Sequence, residues 1–182
     1  VRRALDQYES SLIAYTAGIL NGDLERAREV VQDAMLKLYL TDPERVRDTT
    51  VFLGFDAGGN AAVVTSTSGW AWKYPGRLGD SPIPGAGFYA DSRYGAAACT
   101  HTGEMTMRCA TSHDVVEGLK FGLSLDAAVE RAAEDLLALK GGFIGEVVIH
   151  ALDNKNKHRV VTLRGEKPVS YWFWEPGMPA PE

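Results

Sequence analysis

The apolar residues at the start of the chain recur at the spacing of one helix face. Between residues 4 and 20 they follow one another at steps of three or four, which predicts an amphipathic helix. Residues 21–23, Asn-Gly-Asp, interrupt the pattern, and a second run with the same spacing continues to Leu38. Thr-Asp-Pro at 41–43 ends that run. We therefore predict a hairpin of two antiparallel helices.

At Thr49 the pattern changes from helical spacing to the alternation of a strand. Alternating apolar residues over 51–55, the turn sequence AGGN and a β-branched stretch over 63–67 predict a β-hairpin. We place a domain boundary in front of it. Residues 1–48 then form a helical segment and residues 49–182 a second domain.

The rest of the chain is predicted to contain short strands and two helices. Ser124 is a suitable N-cap for the second helix, and Gly141 and Gly142 are a suitable stop. The strands are predicted over 87–90, 95–99, 143–151 and 159–163, and the helices over about 104–120 and 124–139. Strands, then helices, then strands indicate a layered α+β fold.

Composition and charge describe an acidic globular protein. A net charge of -5 argues against broad binding to nucleic acid or anionic lipid, because those contacts need clustered Lys and Arg. Cys99 and Cys109 form no CxxC pair, so we expect two small core residues rather than a disulfide or a zinc site. No stretch has the apolar length of a bilayer span or of a signal-peptide core, so we expect no membrane association and a cytoplasmic protein.

Asp48 and Thr49 stand where the first predicted strand begins. A threonine hydroxyl is a poor nucleophile, but at a chain terminus its own α-amino group can act as the base. That amino group titrates near neutral pH. In a precursor, the peptide bond between Asp48 and Thr49 must first be cut. Taken alone, this pair favours a simpler interpretation, a threonine that starts a strand.

Three segments from Thr49 onward change this interpretation. They read TTVFLGFDAGGN, TSTSGWAWKYPGRLGDSPIPGAGFYAD and GAAACTHTGEMTMR. Together they resemble the β subunit of the glycosylasparaginases and the related isoaspartyl peptidases. The stretch from Gly76 to Gly87 is the longest and most specific match, and its spacing from Thr49 also agrees. The resemblance covers Thr49 to about Leu163.

The resemblance implies an N-terminal-nucleophile hydrolase with an αββα sandwich fold. This chain would hold the β-subunit half, preceded by the helical hairpin. In the family, self-cleavage of an Asp-Thr bond releases the nucleophilic threonine, and Asp48 and Thr49 fall at those positions. The family's α subunit supplies part of one sheet and of the substrate site. We therefore expect apolar sheet surface that is exposed, or covered by the front hairpin, an α-subunit-like chain or a homo-oligomer.

The resemblance also implies roles for individual residues. Thr67 matches the threonine that hydrogen-bonds to the nucleophile and supports it. Arg77 matches the arginine that binds the α-carboxylate of the asparagine unit, for which a planar guanidinium is well suited. Asp80 matches the acid that binds the α-amino group. Such a pair selects an asparagine or aspartate unit whose two ends are both free.

Thr100 matches a residue of the oxyanion hole, which stabilises the tetrahedral intermediate, and Gly103 falls among the substrate-binding positions. His101 stands where the family usually has glycine, and a side chain there would narrow the pocket or shift the backbone. Val51 also replaces a usual glycine, and a β-branched residue cannot adopt a glycine-only conformation. Thr50 is an alternative nucleophile only if the cut moves by one residue.

Simpler interpretations stand beside these assignments. Taken alone, Arg77 and Asp80 indicate a surface ion pair. His113, His150 and His158 have no partner pattern, which favours solvated or locally hydrogen-bonded side chains over ligands or bases. No metal and no cofactor are predicted.

Three aromatic residues, Trp70, Trp72 and Tyr74, lie in one short stretch. They are compatible with a pocket for a sugar or another leaving group. Strand aromatics more often pack against neighbouring elements, so packing is the preferred interpretation.

The front segment has a second, shorter resemblance. The run YESSLIAYTAGILNGDLERAREVVQDAMLKLYL is similar to the opening helices of region two of the extracytoplasmic-function sigma factors, above all over AREVVQDAMLKLY. In those proteins the second helix docks on RNA polymerase. The likeness ends near Tyr39, before the parts that read promoter DNA. An ordinary helical hairpin and a polymerase-binding one therefore remain alternatives.

Two functional hypotheses follow. The first is an amidohydrolase that acts through a β-aspartyl ester on Thr49. Its substrate is N4-(β-N-acetylglucosaminyl)-L-asparagine, asparagine or an isoaspartyl dipeptide; IPGAG favours the first and TxTGE the last. The second hypothesis is a non-catalytic fusion protein whose front helices bind a partner such as RNA polymerase. A fragment that begins at Thr49 distinguishes the two.

Overall fold

The computed structural model describes residue 25 and residues 49–70, 73, 75–166 and 169–181. The chain divides into two units, residues 1–47 and 48–182. Apart from Glu25, which is helical, the predicted helical hairpin and its sigma-factor-like helices lie outside the described residues, as does Asp48.

Two antiparallel strands, β1 (Thr49–Phe55) and β2 (Ala61–Thr67), form the predicted hairpin. Asp56 holds the turn between them, because its Oδ1 accepts from the backbone N of Gly58 and of Asn60, both at 2.8 Å. An aspartate that satisfies the amides of its own turn stabilises that turn. The hairpin prediction is confirmed.

The second sheet has four antiparallel strands in the order β3-β4-β5-β6. They are β3 (Phe88–Asp91), β4 (Gly95–His101), β5 (Val147–Asp153) and β6 (His158–Leu163). The strand predicted from residue 143 begins only at Val147. The backbone of residues 143–146 instead passes close to the Thr102 side chain, where a Cβ on Gly145 would lie 2.7 Å from Thr102 Oγ1.

The prediction of a single helix over residues 104–120 is wrong. The structure has two helices there, α1 (Gly103–Cys109) and α2 (Thr111–Lys120), separated by Ala110 in the left-handed conformation with φ 48°. After this break the Ser112 hydroxyl donates to the Ala86 carbonyl at 2.7 Å. No glycine or proline marks the break, so it depends on contacts that are distant in sequence.

The next helix, α3 (Leu125–Ala138), begins as predicted. The Ser124 Oγ accepts from the backbone N of Ala127 at 3.2 Å, which satisfies one amide of the first turn. The helix ends before the two glycines expected to stop it. Within the ranges that the structure describes, no helix is long and apolar enough to cross a membrane.

The core lies between the four-stranded sheet and the three helices. Its buried side chains come from β4 and β5 on one side and from the helices on the other: Ala97, Cys99, Val147, Ile149, Ala151, Met105, Val115, Val129 and Leu136. Cys99 is buried here and Cys109 packs at the edge, which confirms the prediction of two unbridged core cysteines. The layered α+β prediction is also confirmed.

The opposite face of the four-stranded sheet packs against the hairpin, because β1 contacts β4 and β2 contacts β3 and β4. By strand alternation, Ala96, Ala98 and Thr100 of β4 point to this side. The hairpin's outer face carries Phe52 and Val64, which lie opposite each other and are 65% and 59% exposed. Exposed apolar side chains side by side on a sheet face are of the kind on which a further layer can pack.

Candidate active site

The threonines that open β1 and close β2 face each other. Thr49 pairs with Thr67 across the hairpin, and their Oγ1 atoms are 3.0 Å apart. Thr67 Oγ1 also accepts from the backbone N of Gly69 at 2.8 Å, which fixes its position. The structure thus brings together the predicted nucleophile and the residue predicted to support it.

The neighbouring positions of β1 follow the alternation of a strand. Thr50 lies opposite Ser66 and points away from the Thr49–Thr67 hydroxyl pair, which does not favour it as an alternative nucleophile. Val51 pairs regularly with Thr65, and its backbone is not left-handed. The conflict expected from a valine at a usual glycine position therefore does not arise.

Asp80 is a buried carboxylate with only 6% of its surface exposed. Its Oδ2 accepts from the Thr106 hydroxyl at 2.6 Å, and that hydroxyl also contacts the Gly103 carbonyl at 3.0 Å. Burial raises the pKa of the Asp80 carboxyl, while the hydrogen bond from Thr106 and the charge of Arg77 act in the opposite direction. A carboxylate held in this way is suited to a cationic group that compensates its lost hydration.

Two glycines pack directly against Asp80, where any side chain would clash with it. A Cβ on Gly103 would lie 2.5 Å from Asp80 Oδ1 and 2.8 Å from its backbone N. A Cβ on Gly87 would lie 2.5 Å from the Asp80 carbonyl oxygen. All three distances are too short for any side chain, so the glycine at the start of α1 is needed to form this site.

Arg77 is bound to a carboxylate of the chain itself. Its Nε donates to Glu104 Oε1 at 2.7 Å and its Nη2 to Glu104 Oε2 at 2.8 Å. The Arg77 side chain is only 16% exposed, and this bidentate hydrogen bond lowers the pKa of Glu104. The ion pair of Arg77 is therefore with Glu104 rather than with Asp80.

Thr100 and His101 end β4 beside this cluster. Thr100 is buried, and its Oγ1 lies 3.0 Å from His101 Nδ1. His101 keeps its pairing with Val147 but has φ 78°, in the left-handed region. The backbone shape of a glycine is thus retained with a histidine, at a cost of about 1–2 kcal/mol.

The remaining histidines have mainly packing environments. His113 meets the Tyr89 ring edge-on at a centroid distance of 4.9 Å, and His158 packs against Phe173 at 4.7 Å. His150 lies on β5, where burial and the nearby charge of His101 lower its pKa to about 4. Among the described residues, no group of three or more His, Cys, Asp or Glu side chains is placed to hold a metal ion.

Sequence reasoning missed three residues that structure places at the site: Glu104, Thr106 and Glu146. The first two lie in THTGEMT at residues 100–106, of which TxTGE was interpreted only as favouring an isoaspartyl dipeptide as the substrate. Of the aromatic stretch, Trp70 packs against Phe143 with ring centroids 5.6 Å apart, while Trp72 and Tyr74 lie outside the described residues.

Comparison with known proteins supports the family resemblance. The asparaginase family matches residues 18–158, which begins inside the segment that we assigned to the helical hairpin. The isoaspartyl peptidase of Escherichia coli is 39% identical over 144 residues, 75% of this chain and 45% of that protein. The isoaspartyl peptidase of Salmonella typhimurium is 42% identical over 95 residues, 52% of this chain and 30% of that protein.

An L-asparaginase-like protein of Drosophila erecta is 38% identical over 102 residues, 56% of this chain and 26% of that protein. The chain therefore spans less than half the length of each of these relatives. The family match covers well over half of this chain, and it confirms the assignment to the asparaginase-type hydrolases. The chain belongs to the asparaginase family.

Proposed function

We propose that this chain carries the nucleophile-bearing part of an amidohydrolase that cleaves the side-chain amide of an asparagine derivative. The observation that carries the proposal is the 3.0 Å contact between the Thr49 and Thr67 hydroxyls at the start of β1. A threonine nucleophile is activated by the α-amine of its own chain terminus, and a hydrogen bond from a second hydroxyl holds its Oγ1 in place.

Activation requires a cut between Asp48 and Thr49. While that bond is intact, the Thr49 nitrogen is an amide and cannot act as a base. After the cut, the free α-amine accepts the proton of the Thr49 hydroxyl, and the oxygen attacks the side-chain carbonyl carbon of the substrate. The leaving amine departs with a proton, and a β-aspartyl ester remains on Thr49. Water then hydrolyses the ester and restores the hydroxyl.

The charged residues around Asp80 support recognition of a free amino-acid end. Asp80 is buried with its Oδ1 unoccupied by any other described side chain, so it suits the α-ammonium group. Arg77 uses Nε and Nη2 for Glu104, which leaves its Nη1 for the α-carboxylate. The three side chains bring one positive and two negative charges, so the substrate α-ammonium group has Asp80 as its counter-charge, while Arg77 faces two carboxylates, that of Glu104 and that of the substrate.

Among the possible leaving groups we favour the amino acid of an isoaspartyl dipeptide. The support is TxTGE at residues 100–104 together with two relatives named isoaspartyl peptidases, 39% and 42% identical to this chain over the matched residues. Ammonia from asparagine and the glycosylamine of N4-(β-N-acetylglucosaminyl)-L-asparagine are the alternatives that a substrate panel separates.

We further propose that the fold is completed to the four-layer αββα sandwich of N-terminal-nucleophile hydrolases. The described part of the chain has a hairpin, a sheet and one helical layer. The exposed pair Phe52 and Val64 marks the face on which a further layer packs, from an α-subunit-like chain or another copy.

Mass spectrometry of the purified full chain tests the proposal. We expect a fragment that begins at Thr49, together with aspartate release from an isoaspartyl dipeptide. Thr49→Ala should abolish both, whereas the matched control Thr50→Ala, on the other face of β1, should retain both. Intact chain with no aspartate release, with and without the complementary part of an E. coli-type relative, would refute the proposal.

A further inference from the structure

The His101 imidazole lies between a buried hydroxyl and a carboxylate. Its Nδ1 is 3.0 Å from Thr100 Oγ1, and its Nε2 is 3.8 Å from Glu146 Oε1. The ring is 25% exposed and Glu146 is 21% exposed, so solvent screens the charge pair only in part. No comparable link to a hydroxyl exists when glycine occupies this position.

The direction of the hydrogen bond between Thr100 and His101 depends on the charge of the imidazole. The carboxylate beside Nε2 favours a proton there, so a neutral ring presents the Nδ1 lone pair to Thr100. The Thr100 hydroxyl then donates its only proton to His101. In the imidazolium, Nδ1–H donates to Thr100 Oγ1 instead, and the hydroxyl proton is free for another acceptor.

We propose that His101 is a positioning residue whose protonated ring, held beside Glu146, turns the Thr100 hydroxyl toward the oxyanion of the tetrahedral intermediate. This inference rests on the proposed function, in which Thr100 belongs to the oxyanion hole. The imidazolium also adds positive charge next to the developing negative charge. The left-handed backbone of His101 destabilises the fold, and the action of its side chain on the reaction gives a reason for a histidine at this position.

Other charges around β4 define what His101 responds to. β5 contributes His150, which burial keeps uncharged near neutral pH, and Glu146 directly precedes β5. β1 contributes Thr49, whose α-amine exists only after cleavage. α1 contributes Glu104, whose two carboxylate oxygens already accept hydrogen bonds from Arg77. Glu146 is therefore the carboxylate available to stabilise the imidazolium.

The link between Glu146 and His101 can be measured without catalysis. In the full chain labelled with ¹⁵N-histidine, NMR of the His101 ring nitrogens reports whether Nδ1 donates or accepts a hydrogen bond. Glu146→Gln removes the carboxylate beside Nε2 and should move the His101 ring signals toward the form in which Nδ1 accepts from Thr100. The matched control Glu130→Gln, on the exposed face of α3, should leave these signals in place. Unchanged His101 ring signals in Glu146→Gln would overturn the proposal.

Kinetics test what the imidazolium does. His101→Gln should lower kcat with little change in KM, because the imidazolium acts on the oxyanion of the tetrahedral intermediate and not on the bound substrate. Glu146→Gln should lower kcat in the same way but to a smaller extent. A chain whose His101 ring signals respond to Glu146→Gln but that releases no aspartate refutes the proposed function. A hydrolysing chain whose kcat is unchanged in His101→Gln refutes only the role of His101.

Discussion

Replacing Gly103 with alanine tests whether the start of α1 builds the Asp80 site. The added Cβ would lie 2.5 Å from Asp80 Oδ1, 2.8 Å from its backbone N and 2.9 Å from its Cγ. Three contacts below 3 Å on one residue cannot be relieved by a rotamer change, because one of the atoms belongs to the backbone. The carboxylate or the first turn of α1 must move.

The size of the effect follows from two opposing terms. Overpacking a closed site costs about 1–3 kcal/mol. Alanine in place of glycine within a helix stabilises the folded state by roughly 0.5–1 kcal/mol. We therefore expect Gly103→Ala to lower the free energy of unfolding by about 1–2 kcal/mol. If Asp80 binds the substrate α-ammonium group as proposed, its displacement weakens a charged hydrogen bond, and kcat/KM should fall by roughly 10–100-fold.

Urea unfolding followed by circular dichroism measures the first effect, and aspartate release measures the second. The matched control is Gly54→Ala in β1, where nothing lies within 4 Å of the new Cβ and the backbone is not left-handed. This control should unfold at the wild-type urea concentration or slightly above it. If Gly103→Ala behaves like Gly54→Ala in both assays, the close packing of Gly103 on Asp80 does not define the site.

Three further predictions concern other parts of the site. Thr67→Val should slow the appearance of the Thr49 fragment and aspartate release by about 100-fold, because it removes the hydrogen bond to Thr49 Oγ1; mass spectrometry that shows unchanged rates would contradict this. Asp80→Asn should raise the free energy of unfolding at pH 7 by about 1.4 kcal/mol for each unit by which folding raises the Asp80 pKa. The reason is that the wild-type protein loses stability as the pH rises from 3.8 toward that raised pKa. A urea midpoint equal to or below that of the wild type would disprove this prediction. The pKa of His150 is lowered from 6.5 to about 4, so the stability it contributes is complete above pH 6.5 and falls on acidification toward pH 4 by up to about 1.4 kcal/mol per pH unit. Urea unfolding at a series of pH values should show a smaller slope in His150→Gln. An unaltered slope would contradict this contribution of His150.

Several elements were predictable because their signals are local. Alternation over residues 51–55 and 63–67 with AGGN between them produces the hairpin, since strand period and turn residues act over a few positions. Ser124 caps α3 because its hydroxyl oxygen can accept a hydrogen bond from a backbone amide of the first helical turn. Thr49 and Thr67 face each other because the hairpin register, set by the turn, pairs its two ends.

The break at Ala110 had no such signal. It lies between two stretches with helical spacing, and an alanine is a poor candidate for a left-handed backbone. What holds it there is α2 packing on the sheet, with Ser112 bound to Ala86. The start of β5 was missed for the same reason, because Gly145 packs on Thr102 from a distant part of the chain.

The sequence by itself determined the strand hairpin, the helix after Ser124, the α+β layering and the asparaginase family. Only the tertiary structure decided which polar side chains meet: Arg77 with Glu104, Asp80 with Thr106, and His101 with Glu146. The physical reason is range. Propensity and periodicity act between neighbours in the chain, whereas these pairs are 26 to 45 positions apart and meet only because β4, β5 and α1 pack together.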